Sequence, residues 1–160
     1  IAGAALTVSA LTWTVGSWIQ ARLIDRAGPR RLDQVGFAAL VIGVGLMLAV
    51  AQGLPVGLTV LSWAIAGFGI GMAYAPQAVT VLASAKPGEE GSASAAIQLS
   101  DAVGIALGTG LGGGIIAIGD ARGWNVDTSV TGVLIIALVG SLGGLLASRR
   151  LPQRVPEQAT

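Results

Sequence analysis

The sequence predicts an all-α, multi-pass transmembrane helix bundle, and three observations carry that prediction. Of the 160 residues, 53% are apolar and 11% are charged, whereas a soluble domain needs about 25% charged residues to wet its surface. The mean hydropathy is +0.78 with 25 glycines, a level that is unfavourable in soluble helices but common where helices pack inside a bilayer. Finally, five stretches approach the ~20 apolar residues a helix needs to cross a hydrocarbon core of ~30 Å. They lie at about 1–19, 35–51, 56–82, 93–118 and 130–148. Runs such as Phe37–Val50 show none of the alternating polarity of a membrane β-barrel, so the spans are helices.

The first span carries Thr7, Ser9, Thr12, Trp13, Thr14, Ser17 and Trp18. The second has no side-chain hydrogen-bonding group at all. Pro55 opens the third, which holds Ser62, Trp63, Tyr74, Gln77 and Thr80; Pro76 follows three glycines inside it and predicts a kink. Lys86-Pro87-Gly88-Glu89-Glu90 precedes the fourth, placing a proline and two carboxylates at a helix start. The fifth has only Thr131 and Ser141 between its flanks. Because polar groups facing lipid are unfavourable, spans one, three and four are expected to turn toward protein or water, with spans two and five at the lipid-facing edge. Residues 1–151 therefore read as a partial transmembrane domain, and 152–160 as a short, polar, disordered tail. The start at Ile1, already inside an apolar run, predicts further sequence upstream.

Span four holds the main candidate site. Ser94, Gln98, Asp101, Ile105, Gly108 and Gly112 recur at helical spacing and define one stripe. The Gly104-x-x-x-Gly108-x-x-x-Gly112 pattern predicts close approach of another helix. Asp101 is the only acidic residue well inside a predicted span. An intramembrane carboxylate is a candidate for a proton, a cation or a basic ligand, or for pairing with an arginine on another helix. Trp63, Tyr74, Gln77, Gln98 and Asp101 are the candidates for lining a substrate cavity, since aromatic and amide groups suit amphipathic ligands. Trp18 and Trp124 read instead as packing or interfacial anchors.

Composition excludes several functions. A net charge of +1 without a concentrated basic face argues against nucleic-acid binding. With no cysteine and no histidine there is no disulfide framework, thiolate metal site or His-based triad, and no metal or cofactor is expected. One intramembrane aspartate cannot form an aspartyl-protease pair, so no enzyme is predicted. A non-transporting membrane scaffold or receptor is compatible with the same fold, since fold does not fix function.

The most specific string is Ala21-Arg-Leu-Ile-Asp-Arg-Ala-Gly-Pro-Arg-Arg31. It resembles the cytoplasmic signature loop of the major facilitator superfamily, G-x-L-a-D-R-x-G-R-R. Leu23, Asp25, Arg26, Gly28, Arg30 and Arg31 match, while Ala21 replaces the leading glycine and Pro29 stands where a basic residue is common. These departures resemble the looser copy in the family's second half. Gly67-x-Gly69-x-Gly71 with Pro76 is similar to its tenth helix, and Gly91–Ser100 with Gly104 and Gly108 to the eleventh helix of multidrug-efflux members. The resemblance implies five spans of a six-helix C-terminal half, acting by alternating access in secondary transport. It further implies proton-coupled export of small organic or drug-like molecules, with Asp101 as the proton-coupling candidate and an N-terminal half of the same polypeptide as partner. From the residues themselves, Gly28 permits a tight reversal, Asp25 can accept from backbone donors at a helix N-terminus, and the arginines hold the loop at an anionic inner surface. A merely topogenic basic loop is the plainer reading.

Basic residues fix the expected orientation. Eight lie in the first and third connections and the tail, against Arg122 alone in the other two. By the positive-inside rule the basic connections and the C-terminus are expected to be cytoplasmic, and the protein is expected to be a multi-pass integral protein of the plasma membrane. A reporter inserted at Ala121 is expected to be accessible from outside and one at Arg30 from the cytoplasm only; labelling both from the same side would overturn this topology.

Overall fold

The computed structural model describes residues 2–154. Among them are five helices and no strand: α1 Ala2–Ala27, α2 Pro29–Ala51, α3 Leu58–Ala83, α4 Glu90–Ala121 and α5 Val126–Ala147, followed by a 3-10 turn at Ser148–Arg150. Ile1 and most of the predicted disordered tail, residues 155–160, lie outside the described residues. Four segments, Pro29–Ala51, Leu58–Ala83, Glu90–Ala121 and Val126–Arg150, are long and apolar enough to cross a membrane. Helix α1 has the length, 26 residues, but its hydropathy is diluted by the threonines and serines read above. Several of these hydroxyls bond back into their own helix, as Thr7 does to the Gly3 carbonyl and Thr14 to that of Ala10. Back-bonded hydroxyls can sit on an exposed face, so span polarity overstates how much of a helix must face protein.

The packing centre is α3. Its glycines alternate, and residues two apart lie on nearly opposite sides of a helix. Gly67 and Gly71 face α1: a Cβ on Gly67 would collide with the Ser9 carbonyl, and one on Gly71 with the Trp13 carbonyl. Gly69 faces α2, where an added Cβ would come 2.7 Å from the Gly36 carbonyl oxygen, and a Cβ on Gly36 would meet Ala73 equally closely. Ser62 donates to the Gly43 carbonyl at 2.8 Å further along the same seam. Helices α2 and α3 thus run antiparallel, while α1 and α3 run parallel. Two helices approach α3 at backbone distance because it presents no side chain to hold them off.

The remaining helices form an antiparallel hairpin on this unit. Phe37 of α2 packs against Gly144 of α5, and Gln52 donates to Thr131 at 3.3 Å. Gly119 of α4 lies under Ser129 and Trp124, and Asn125 caps α5 by accepting from the Thr128 amide at 2.9 Å. Alternating helix directions put the connections at Gly28 and Lys86 on one side, with those at Gln52 and Arg122 on the other.

Several sequence expectations change. The signature segment is almost entirely helical: Ala21–Ala27 finishes α1 and Pro29 begins α2, leaving Gly28 with φ +77° as the single break. Gly28 offers no side chain, and no side chain caps α2, so Asp25, in the last turn of α1, does not take the capping role expected of it. Proline at the first helical position sets the start of α2 six residues before the predicted span. Pro55 and Pro87 lie in turns ahead of α3 and α4, not within their first turns, although Glu90 does occupy the first turn of α4. Pro76 lies inside α3 as expected, and Thr80 donates to its carbonyl at 2.7 Å. The apolar α2 is not peripheral but lies between α3 and α5, and buries Leu32, Asp33, Gly36 and Gly43. Within α4 only Gly119 is buried, and nothing lies within 4 Å of a Cβ placed on Gly104 or Gly108. The close approach predicted for span four is realised in α3.

This packing predicts that Gly71→Val destabilises the bundle by about 1–3 kcal/mol, the usual cost of overpacking, while Gly104→Val leaves its thermal unfolding in detergent unchanged. Equal behaviour of the two variants would contradict the assignment of α3 as the packing centre.

Candidate functional site

A groove of about 280 Å³ lies between α3 and α4. Helix α3 contributes Tyr74, Gln77, Ala78 and Val81, and α4 contributes Ala96, Ile97, Ser100 and Asp101. The i, i+3, i+4 spacing of helices places 74, 77 and 78 on one face of α3, and 97, 100 and 101 on one face of α4. Across the groove the Tyr74 hydroxyl donates to Asp101 Oδ2 at 2.7 Å. Asp101 is eleven residues into the 32-residue α4, roughly 16 Å from its start at about 1.5 Å per residue.

The groove therefore gathers three of the five cavity candidates: Tyr74, Gln77 and Asp101. Gln98 is exposed on α4 outside it, because the face meeting α3 runs through Ile97 and Ser100, one residue round from the predicted stripe. Trp63 is 38% exposed and lies eleven residues before Tyr74, toward the opposite end of α3. The two tryptophans read as anchors each carry an arginine: Arg22 sits 3.7 Å over the Trp18 ring and Arg122 5.8 Å over Trp124. Such cation–π pairs fit amphipathic rings at helix ends.

One residue of this region was missed in the sequence. Asp33 is 1% exposed, and Gln77 Nε2 donates to its Oδ1 at 2.8 Å. A carboxylate can only accept, so the Gln77 amide nitrogen is committed to α2 while the same side chain lines the groove. Asp33 lies just before the predicted second span, which begins at about Val35. The signal was nonetheless present: Asp33, Gly36, Leu40 and Gly43 follow helical spacing, and the stripe that packs on α3 extends back to the carboxylate. Ser100, also lining the groove, bonds back to the Ala96 carbonyl at 2.9 Å.

The signature residues assemble elsewhere. Asp25, Arg26, Gly28, Arg30 and Arg31 line a second cavity at the α1–α2 break, together with Gln153 and Arg154; Leu23 does not reach it. No group of three or more Asp, Glu, His or Cys residues able to hold a metal occurs among the described residues.

An all-helical bundle with alternating glycine packing, a glycine-broken basic connection and an intramembrane carboxylate agrees with the resemblance, and comparison decides it. The sequence profile of the Major Facilitator Superfamily matches residues 1–160. The chain belongs to this superfamily. Two curated relatives from Mycobacterium tuberculosis, in strains CDC 1551 / Oshkosh and H37Rv, are each named a "Probable multidrug-efflux transporter" and are 36% identical over 94% of this chain. The match covers 33% of each relative, so the chain spans about a third of their length. No solved structure matches. Membership of the Major Facilitator Superfamily makes this an integral membrane bundle of a transporter family, not of an enzyme family.

In this bundle the bond from the exposed Gln77 to the buried Asp33 joins α2 to α3, while Asp25 is exposed. Asp33→Ala removes this interhelical bond, worth about 0.5–1.5 kcal/mol. Its thermal midpoint in detergent is expected to fall clearly below that of Asp25→Ala, and equal midpoints would show that the pair holds nothing.

Proposed function

We propose that the chain forms part of a secondary transporter that exports small organic, drug-like molecules in exchange for protons by alternating access. The observation that carries this reading is the Tyr74–Asp101 pair in the α3–α4 groove. It sets a carboxylate beside apolar walls in a groove between two helices, and a carboxylate within an apolar helix is a candidate for a proton or a basic ligand. The names of the mycobacterial relatives support export and a small organic substrate.

The groove has the chemistry such exchange requires. Ala78, Val81, Ala96 and Ile97 offer apolar area to a ligand body, and Gln77 and Ser100 offer directional polar contacts. Asp101 accepts from Tyr74 as a carboxylate, and the same oxygens can take a proton or the donor of a ligand. Proton and ligand then compete for one acceptor, so binding of either favours release of the other. The Tyr74 hydroxyl holds the carboxylate at the groove and keeps it partly solvated when no ligand is bound. Trp63 and Gln98 belong, in this reading, to cavity walls completed by the rest of the polypeptide. That partner includes an N-terminal half, with this chain in the plasma membrane and its C-terminal end cytoplasmic.

In the full-length protein, Asp101→Asn is expected to abolish export driven by a pH gradient in everted vesicles without lowering expression. Tyr74→Phe should slow it by about two- to tenfold, the worth of one hydrogen bond. Undiminished gradient-driven transport by Asp101→Asn would remove Asp101 from the mechanism.

A further inference from the structure

We propose that the inner cavity at the α1–α2 break is a binding site for the phosphate group of an anionic phospholipid. The cavity has a volume of about 640 Å³, within the range of small-ligand sites, about 300–1,000 Å³. Its lining is unlike that of the α3–α4 groove. Arg26 comes from the end of α1, Arg30 and Arg31 from the start of α2, and Arg154 from the segment after the last helical turn. Asp25 is the one carboxylate among the lining residues. Three separate segments thus contribute four arginines to the lining of one cavity. Guanidinium groups are planar forks that pair bidentately with phosphate oxygens, and they are less strongly hydrated than ammonium groups.

The far wall is built, not incidental. Gln153 and Arg154 cross directly over Gly28, and a Cβ on Gly28 would overlap the Gln153 carbonyl. Gly28 is buried and holds φ +77°, so the turn and the crossing segment share the same requirement for a residue without a side chain. The other arginines at this end are placed differently. Arg22 is engaged on the Trp18 ring, and Arg149 and Arg150 do not line the cavity. Convergence is therefore selective among the arginines, which a purely topogenic basic end does not require. The cavity opens where two apolar helices end, the level of the headgroup layer flanking the hydrocarbon core. An anionic headgroup is the phosphate source present there at high local concentration.

The test uses the full-length protein purified in neutral detergent. Short-chain phosphatidylglycerol, short-chain phosphatidylcholine and inorganic phosphate are each titrated by calorimetry. The site predicts saturable phosphatidylglycerol binding that weakens about tenfold or more in Arg30→Gln/Arg154→Gln, through loss of two charge-assisted contacts. The control Arg149→Gln/Arg150→Gln removes the same charge outside the cavity and should change affinity less than twofold by the same reasoning. Cavity-dependent binding of inorganic phosphate with equal affinity would keep the site and assign it to free phosphate instead of lipid. Equal weakening in both double variants, or binding indifferent to both, would overturn the proposal, as would equal affinity for phosphatidylcholine. Should Arg30→Gln/Arg154→Gln elute as aggregate, Arg154→Gln alone, outside every helix, gives the same reading.

Discussion

The absence of side chains on two opposite sides of α3 is the constraint on which the rest of the structure depends. A helix that presents glycine at 67 and 71 to one neighbour and at 69 to the other lets two backbones close in simultaneously. In lipid there is no hydrophobic drive to bring helices together, so van der Waals contact at short range and hydrogen bonds between helices must do it. Close approach supplies both. It seats Ser62 against the Gly43 carbonyl and brings Gln77 within reach of Asp33. Neither bond could form across a seam held open by larger residues.

That arrangement explains why the helices were legible in the sequence and their neighbours were not. The existence of each element follows from length and apolarity, which composition displays directly. The positions of the helices depend on which face of each is small, and the sequence offers glycine stripes in two helices. Gly104-x-x-x-Gly108 in α4 is the more familiar spacing, yet it meets open space, whereas the alternating glycines of α3 meet backbone on both sides. Polarity misled in a related way. Thr7, Thr14, Thr109 and Ser141 satisfy their hydroxyls on carbonyls of their own helix and so say little about what those faces touch. The apolar α2, without such groups in its predicted span, proved to be packed on both flanks, because nothing polar is needed where glycine gives contact.

The candidate site was legible in its chemistry and less so in its extent. A carboxylate eleven residues into a long apolar helix stands out in any reading of the chain. Its partner Tyr74 could be named as an aromatic in a neighbouring span, but the bond between them is a matter of helix rotation that spacing alone leaves open. Gln98 shows the size of that ambiguity. A stripe drawn one residue off in phase includes it, and the stripe that actually meets α3 passes through Ile97 instead. Asp33 was lost for a different reason. A run of arginines following Gly28 looks like a loop, while Pro29 has already begun the next helix, and a carboxylate one turn in became invisible as a buried group.

The two polar pairs hold the bundle with different strength, and that difference constrains how it can move. Sliding α2 along α3 would break the Asp33–Gln77 bond and drive the Gly36 and Gly69 backbones into neighbouring atoms with 2.7 Å clearance for an added carbon. Helices α1, α2 and α3 therefore behave as one block, with α5 keyed to it by Phe37 against Gly144. Helix α4 touches α3 through few residues, and Tyr74–Asp101 is the hydrogen bond joining the two helices. Separating α4 from α3 would open the groove at the cost of that bond, roughly 0.5–1.5 kcal/mol for an ordinary intramolecular hydrogen bond. A difference of that size is within reach of a single protonation or a single ligand contact, since one pKa unit corresponds to about 1.4 kcal/mol. A thin seam in the described bundle is thus the one that contains Asp101, whereas α3 packs far more extensively on α1 and α2.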